Sequence, residues 1–177
     1  MRFRKAITHA INRQQIVDSV YYGAGRVLNG PFARATAYHD PAALTVYDYN
    51  AEAAKALLDE MGLAPGADGM RAKIRITVPN SNNNLMRVQE LVRQNLAEVG
   101  IDLELVALDV PSYIQKDTEW DYDLLLIGPG QFLDPDLGVA RFLLSGNIKN
   151  TLPGQHGQLL QPQGRRALGK GRHFGNA

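Results

Sequence analysis

The sequence DYDLLLIGPGQFLDPD, residues 121–136, gives the strongest indication of the fold class. Its four consecutive apolar residues, 124–127, are bounded by turn formers and predict a strand that is buried on both faces. The GPG segment at 128–130 cannot continue a central strand. The DPD segment at 134–136 is suited to cap a following helix. The stretch therefore predicts a strand, a loop and a helix in succession.

The loop of this stretch is where we first expect a ligand, because open α/β sheets place ligands at the carboxyl ends of their strands. The expected ligand-binding residues are Gly128, Pro129, Gly130, Gln131 and Phe132. An ordinary strand–loop–helix connection would explain the same residues without a ligand, since position in a fold is weak evidence of function.

The composition is that of a globular protein of 177 residues, enough for one domain with a core or for one lobe of a larger protein. No segment has the length of a membrane span, and residues 6–13 lack the apolar region of a signal peptide. The absence of cysteine excludes disulfides and thiolate chemistry. A net charge of +1 indicates no nucleic-acid partner.

Elements of two kinds alternate along the rest of the chain. Apolar residues at helical spacing predict helices over residues 3–11, 13–21, 51–61, 85–100, 110–116 and 136–144. Alternating apolar residues predict half-buried strands over 73–78 and 101–105, and a long loop over 25–49 separates the second helix from the third. This order predicts right-handed crossovers and a mainly parallel sheet.

Two polar features have a structural and a functional interpretation. The PNSNNN segment, 79–84, could donate hydrogen bonds to a ligand, but Asn and Ser are common turn formers and we favour a turn. His9 lies near the buried face of the first helix. No second metal-ligand residue lies at i+4, so we expect a structural histidine and no metal site.

The order of four motifs resembles the extracytoplasmic solute-binding proteins of peptide and nickel ABC importers. The motifs are RKAITHAINR (4–13), YN followed by AKALL and Gly62 (49–62), Gln89 and Leu96 leading to GIDLEL (89–105), and YDL running to DP (122–135). Together they span about 145 residues in register.

This resemblance implies an incomplete α/β lobe, residues 1–150, of a two-lobed periplasmic-binding-protein-like fold (type II, cluster C-like). It implies that the chain is a fragment of the non-catalytic, cofactor-free binding component of an importer of peptides or similar small solutes, with an ABC permease as partner. The parent would be periplasmic or on the cell surface. This chain, which lacks the first lobe, the signal peptide and the returning C-terminal segment, would stay cytoplasmic and would self-associate or be marginally stable.

The resemblance also assigns positions within the loop. Peptide-binding relatives have an aromatic residue, two small residues and an acid that pairs with the ligand's amino group. Here Gly128 stands at the aromatic position, Pro129 and Gly130 at the small ones and Gln131 at the acid. A neutral amide cannot form a charge-assisted bond to an ammonium. We therefore expect a sugar, an opine-like compound or a modified peptide as the ligand.

The last 27 residues, 151–177, differ from the rest: they hold four basic and no acidic side chains, leaving 15 basic and 18 acidic in the first 150. Suitable codons for residues 155–177, translated one nucleotide later, give STGNYSNPKVDALWEKAATSETP. This string contains the Asn-Tyr-x-Asn-Pro-x-Val-Asp pattern that relatives should show here. We expect an irregular, out-of-frame tail, and the alternative is a genuine basic tail that contacts phosphate or nucleic acid.

Two other function classes remain open from the residues alone. An α/β enzyme could use Asp134, Asp136 and a histidine, although the chain contains no nucleophile elbow, phosphate loop or HExxH motif. An interaction protein could act through the basic tail.

Overall fold

The computed structural model describes residues 1–30, 32, 34, 36 and 39–128. Its elements are the helices α1 (Arg2–Ala10), α2 (Arg13–Val20), α3 (Ala51–Asp59), α4 (Asn83–Glu98) and α5 (Val110–Glu119), the strands β1 (Ala72–Pro79), β2 (Ile101–Leu108) and β3 (Leu124–Leu125), and a short 3-10 helix (Pro41–Ala43). The predicted helix 136–144, the tail 151–177 and all of the predicted ligand loop after Gly128 lie outside the described residues.

Asparagine side chains cap the N-termini of three helices. Asn12, Asn50 and Asn82 each accept hydrogen bonds from backbone N–H groups of the first turn of α2, α3 and α4. These N–H groups have no partner within their own helix, so a capping side chain stabilises each start by about 1 kcal/mol. Gly62, just past α3, has a φ of +75°, a left-handed conformation that favours glycine.

The three strands form one parallel sheet in the order β2-β1-β3, which confirms the predicted mixed α/β fold with a parallel sheet. β1 pairs with β2 along its whole length, from Ala72 opposite Ile101 to Pro79 opposite Leu108. β3 pairs with the other edge of β1 at Ile76 and Thr77. Among the described residues, β1 is therefore the central strand.

Helices cover both faces of this sheet. The chain moves in opposite directions from β1 to β2 and from β2 to β3, so right-handed crossovers place α4 and α5 on opposite faces. The face covered by α4 holds the main core, in which strand residues meet α1, α3 and α4. Its buried members include Ala6, Ile7, Ala54, Leu58, Ile74, Ile76, Val78, Val88, Val92, Leu96, Ile101 and Leu103.

Of two sequence-based expectations about the strands, one is confirmed with an exception and the other was wrong. β1 buries Ile74, Ile76 and Val78 on one face, as expected, and Lys73 on the other face is exposed; Thr77, also on that second face, is the exception at only 2% exposed. Conversely, the apolar run 124–127 is not fully buried. Leu124 and Leu125 form a two-residue strand of intermediate exposure at the edge of the sheet that the described residues build, and Ile127 is 41% exposed.

Two buried polar side chains of α4 were not anticipated. Asn95 accepts a hydrogen bond from the backbone N–H of Asn12 (2.9 Å) and donates to the side chain of Gln15 (3.1 Å), so it joins α4 to the start of α2. Gln89 is 2% exposed and its Nε2 lies 3.3 Å from the sulfur of Met86. Asn95 follows Val88 by seven residues, or about two helical turns, so the sequence could have indicated that both lie on the buried face of α4.

Candidate functional site

The strand order creates a crevice at the carboxyl edge of the sheet. The chain leaves β1 toward β2 and later returns past β1 to form β3, so the connections after β1 and β3 diverge. A divergence of this kind is the topological switch point at which open α/β sheets bind ligands. Neighbouring strands lie about 4.8 Å apart. The segments after β1 and β3, residues 79–82 and 126–128, are therefore the two described walls of one crevice.

The first wall is the turn that connects β1 to α4. The backbone N–H of Asn80 donates to the carbonyl of Leu108 (2.7 Å), which fixes the turn to the end of β2. The side chain of Asn82 accepts from the backbone N–H groups of Asn84 (3.0 Å) and Leu85 (3.1 Å). Residues 80–81 of PNSNNN thus form the expected turn, and residues 83–84 already belong to α4.

Two side chains of this turn remain available to a solute. Asn80 and Ser81 are exposed, and within the described part of the chain their side chains make no hydrogen bond. Each can donate and accept.

The second wall follows β3. The backbone N–H of Leu126 donates to the carbonyl of Thr77 (3.0 Å), and its carbonyl accepts from the hydroxyl of Tyr113 (3.3 Å). Burial raises the pKa of Tyr113 to about 12, so this hydroxyl stays protonated and remains a donor at neutral pH. These two bonds fix the backbone immediately before Gly128.

Of the five sequence-predicted site residues, only Gly128 lies within the described part of the chain. It is exposed and stands at the carboxyl edge, as expected. Pro129, Gly130, Gln131 and Phe132 lie outside the described residues, so their role in a site stays a prediction. For the segment 79–84 the sequence left a ligand role open and favoured a turn, because the strand order that brings it beside Gly128 is not evident from the sequence.

The described walls of the crevice are uncharged. Residues 79–82 are Pro, Asn, Ser and Asn, and residues 126–128 are Leu, Ile and Gly. Asp109 follows the neighbouring strand β2, and its carboxylate accepts bonds from the N–H and hydroxyl of Ser112 (2.9 Å each). These bonds hold the pKa of Asp109 below its usual value and mark it as the cap of α5.

A cluster of charges lies at the opposite edge of the sheet, before β3. Asp121 pairs with Lys116 and with Arg75 (2.9 Å), and Asp123 accepts from the backbone N–H of Arg75 (2.8 Å). The bonds from Lys116 and Arg75 hold the pKa of Asp121 below its usual value. These bonds hold the start of β3 against β1. Because the cluster lies at the opposite edge of the sheet, it is not part of the crevice.

The described residues contain neither a cluster of metal-ligating side chains nor a helix that could span a membrane. Across residues 1–30, 32, 34, 36 and 39–128, no group of three or more His, Asp or Glu side chains is placed to hold a metal ion. His9 is structural: its Nδ1 lies 2.8 Å from the carbonyl of Asp48, and its ring packs edge-on against Tyr47. Within the same ranges, no helix is long and apolar enough to cross a membrane.

A second cavity lies within the loop between α2 and α3. Its volume is about 70 Å³, and its polar lining consists of Asn29, Arg34 and His39. Pockets that enclose small-molecule ligands usually measure about 300–1,000 Å³. The loop cavity is therefore too small to enclose a peptide-sized solute.

Comparison with known proteins connects this architecture to a family. Residues 1–150 match the family described as bacterial extracellular solute-binding proteins, family 5 Middle. The dipeptide-binding protein of Escherichia coli is 29% identical over 138 residues, covering 77% of this chain and 25% of that protein. Heme-binding protein A of Haemophilus influenzae is 29% identical over 153 residues, covering 85% of this chain and 27% of that protein.

A solved structure agrees with the sequence match. NikA from Brucella suis, crystallised with Fe(III)-EDTA, superposes with a TM-score of 0.74 at 25% identity, covering 93% of this chain and 34% of that one. The chain thus spans about a quarter to a third of the length of these relatives. Their names include a dipeptide, heme and a metal chelate.

Proposed function

This chain belongs to family 5 of the bacterial extracellular solute-binding proteins, and we propose that it forms part of the binding component of an ABC importer for peptides or related small solutes. Members of the family bind solutes for transport and are not enzymes. Family membership therefore confirms the expectation of a non-catalytic protein and excludes the α/β enzyme.

One observation carries the proposal. Two uncharged and largely exposed segments, 79–82 and 126–128, follow neighbouring strands at the switch point of a parallel sheet, in a chain whose residues 1–150 match a solute-binding family. A polar crevice of this kind can exchange hydrogen bonds with a solute without burying an unpaired charge.

The proposed mechanism is closure of two lobes around a solute. This chain would supply one side of the binding cleft, including both walls of the crevice, and a second lobe of the same transport protein would supply the other side. Solute contacts made only in the closed arrangement would shift an open–closed equilibrium, which an ABC permease then detects. The proposed location of the assembled receptor is the periplasm or the cell surface.

The identity of residue 131 supports a narrower ligand class. Gln131 occupies the position at which peptide-binding relatives are expected to carry an acid. Because an amide cannot pair with an ammonium as a carboxylate does, we propose a sugar, an opine-like compound or a modified peptide as the ligand. Tight calorimetric binding of di- or tripeptides that depends on their free amine would contradict this.

We also propose that residues 151–177 are translated out of frame and have no selected function. The family match ends at residue 150, and the shifted translation of residues 155–177 supplies the pattern expected after it. Sequencing the locus on both sides, together with the intact mass of the expressed chain, tests the proposal. A continuous frame through residue 177 with no family-like frame downstream would refute it.

The binding proposal is tested by locating solute contacts on the isotope-labelled chain. A peptide digest, N-acetyl-dialanine amide and maltose are added in separate titrations, and at least one of them should shift the backbone NMR signals of Asn80, Ser81 and Gly128. Asp121 and Asp123, at the opposite edge of the sheet, serve as internal controls and should not respond. Shifts confined to the control residues, or no shifts at all, would refute the proposed site.

A further inference from the structure

Asn29 and Gly30 form the only Asn-Gly sequence of the chain, in the loop between α2 and α3. In such a pair the backbone nitrogen of the glycine can attack the carbonyl carbon of the asparagine side chain and close a succinimide ring. Glycine favours this attack, because it has no side chain beside the nitrogen and its backbone adopts many conformations. The pair is therefore a candidate site of spontaneous chemical modification.

The glycine of this pair is fixed by packing within the loop. A Cβ at Gly30 would lie 2.8 Å from each of the two Cδ atoms of Leu44. Carbon atoms in contact normally lie about 3.5–4.0 Å apart, so any larger residue would displace Leu44. Gly30 lets the two limbs of the loop approach each other, and this packing keeps a glycine directly after Asn29.

Asn29 is accessible to the water that the reaction consumes. Its side chain is exposed, and Asn29 and Gly30 form bends outside the helices and strands. The turn at Asp68-Gly69 offers a contrast. There the N–H of Gly69 donates to the carbonyl of Gly66 (2.9 Å), and the carboxylate of Asp68 accepts from a backbone N–H two residues later (3.0 Å). These bonds hold both reacting groups of that pair in the turn.

The guanidinium of Arg13 lies at the side-chain carbonyl that would be attacked. Its Nη1 donates to Oδ1 of Asn29 (3.1 Å), and its Nη2 donates to the backbone carbonyl of Tyr47. A positive charge at Oδ1 stabilises the negative charge that develops on this oxygen during the attack. After conversion the same guanidinium would face a carboxylate, and a hydrogen bond between two ionised groups is stronger than one to a neutral amide.

We propose that Asn29 is a modification site at which the side-chain amide converts spontaneously to a carboxylate, and that Arg13 is the partner of the new carboxylate. The bond that forms joins the backbone nitrogen of Gly30 to Cγ of Asn29. The proton of that nitrogen leaves with the side-chain nitrogen as ammonia. Water then opens the succinimide at one of its two carbonyls, which gives aspartate or isoaspartate. The inference is independent of the solute that the chain binds.

Mass spectrometry of the full chain tests the site. The wild type is incubated at physiological pH and temperature, and peptide mapping follows the conversion of each asparagine over time. The reference is the free peptide GRVLNGPFAR, residues 25–34, which has the same local sequence without the fold. Asn80, which is also exposed but is followed by serine, serves as the internal control.

We expect Asn29 to convert before every other asparagine. Its rate should be no less than about a third of the peptide rate, since an exposed loop opens at little cost and then reacts as an unfolded chain does. Earlier conversion of Asn80 or of another asparagine would overturn the site. A rate at Asn29 below about a third of the peptide rate would overturn it too, because the fold would then protect the amide.

The NMR signals of the arginine guanidinium groups test the partner. Asn29→Asp supplies the carboxylate directly, and Asn29→Gln is its neutral counterpart. The guanidinium signal of Arg13 should shift in Asn29→Asp relative to Asn29→Gln, whereas that of Arg93, which pairs with Glu90, should not. An unchanged Arg13 signal, or an equal shift of the Arg93 signal, would overturn the assignment of Arg13 as the partner.

Discussion

Replacing Gly100 by alanine should destabilise the fold strongly, for two separate reasons. Gly100 has a φ of +83°, in the left-handed region. An added Cβ would lie 3.0 Å from the carbonyl oxygen of Gly69 and 3.0 Å from Cγ of Arg71. Arg71 cannot easily retreat, because its guanidinium donates to the carbonyl of Leu63 (2.8 Å) and pairs with Asp59. Its backbone N–H also donates to the carbonyl of Gly100 (2.6 Å).

The two causes can be separated with Gly62→Ala as a matched control. Gly62 has a similar φ of +75°, but no described atom lies within 4 Å of an added Cβ. A left-handed alanine costs about 1–2 kcal/mol, and its stiffer unfolded chain returns about 0.4–1 kcal/mol. Gly62→Ala should therefore lose about 1 kcal/mol. Gly100→Ala adds an overpacking cost of about 1–3 kcal/mol, for a total loss of about 2–4 kcal/mol.

Urea unfolding followed by circular dichroism measures both free energies of unfolding. The expected order is wild type, then Gly62→Ala, then Gly100→Ala, with the last difference at least about 1 kcal/mol. Equal losses in the two variants would show that the contacts with Gly69 and Arg71 do not constrain the site. A neutral Gly100→Ala would contradict the left-handed backbone as well.

Three further substitutions test other contacts. Asp121→Asn should cost about 0.5–1 kcal/mol at pH 7, because this half-exposed carboxylate pairs with Lys116 and Arg75. Because the pKa of Asp121 is lowered, the stability from these pairs is present above about pH 4 and is lost on further acidification. The free energy of unfolding should therefore fall less steeply with acid in the variant than in the wild type. Parallel curves would contradict this. Asn95→Ala should cost about 1–3 kcal/mol in urea, since it removes a buried acceptor from the N–H that begins α2, and a neutral result would refute that role. Tyr22 is 79% exposed and has a φ of +53°, which strains the backbone of a residue other than glycine. Tyr22→Gly should therefore raise the melting temperature. A lowered melting temperature would show that the hydrogen bond between Tyr22 and Arg87 outweighs the strain.

Local signals in the sequence predicted most of the described elements correctly. Asn12 and Asn50 were expected as caps, and Gly62 as the end of the third helix, because these residue types act through bonds within a few positions of themselves. Burial depends on distant partners. An apolar run of four residues cannot reveal that its strand lies at the edge of the described sheet, and the sequence around Thr77 does not reveal that its side of β1 is also buried.

The candidate site was predictable only in part, for the same reason. The loop after Ile127 was expected at the carboxyl edge from local pattern, and Gly128 lies there. The partner wall at Asn80 and Ser81 depends on the strand order β2-β1-β3, which pairs residues 48 positions apart, such as Ile76 and Leu124. The roles of residues 129–132 stay predictions.

Site-specific fluorescence would test most directly whether solutes enter the crevice at the switch point. The chain contains no cysteine, so Ser81→Cys provides a single labelling position on the crevice wall, and Glu119→Cys provides a matched one at the opposite edge. A solute-binding role predicts a saturable fluorescence change from the label at position 81 on titration with N-acetyl-dialanine amide or maltose, and none from position 119. Equal responses at both positions, or a response from position 119 alone, would contradict a binding site at the carboxyl edge of this sheet.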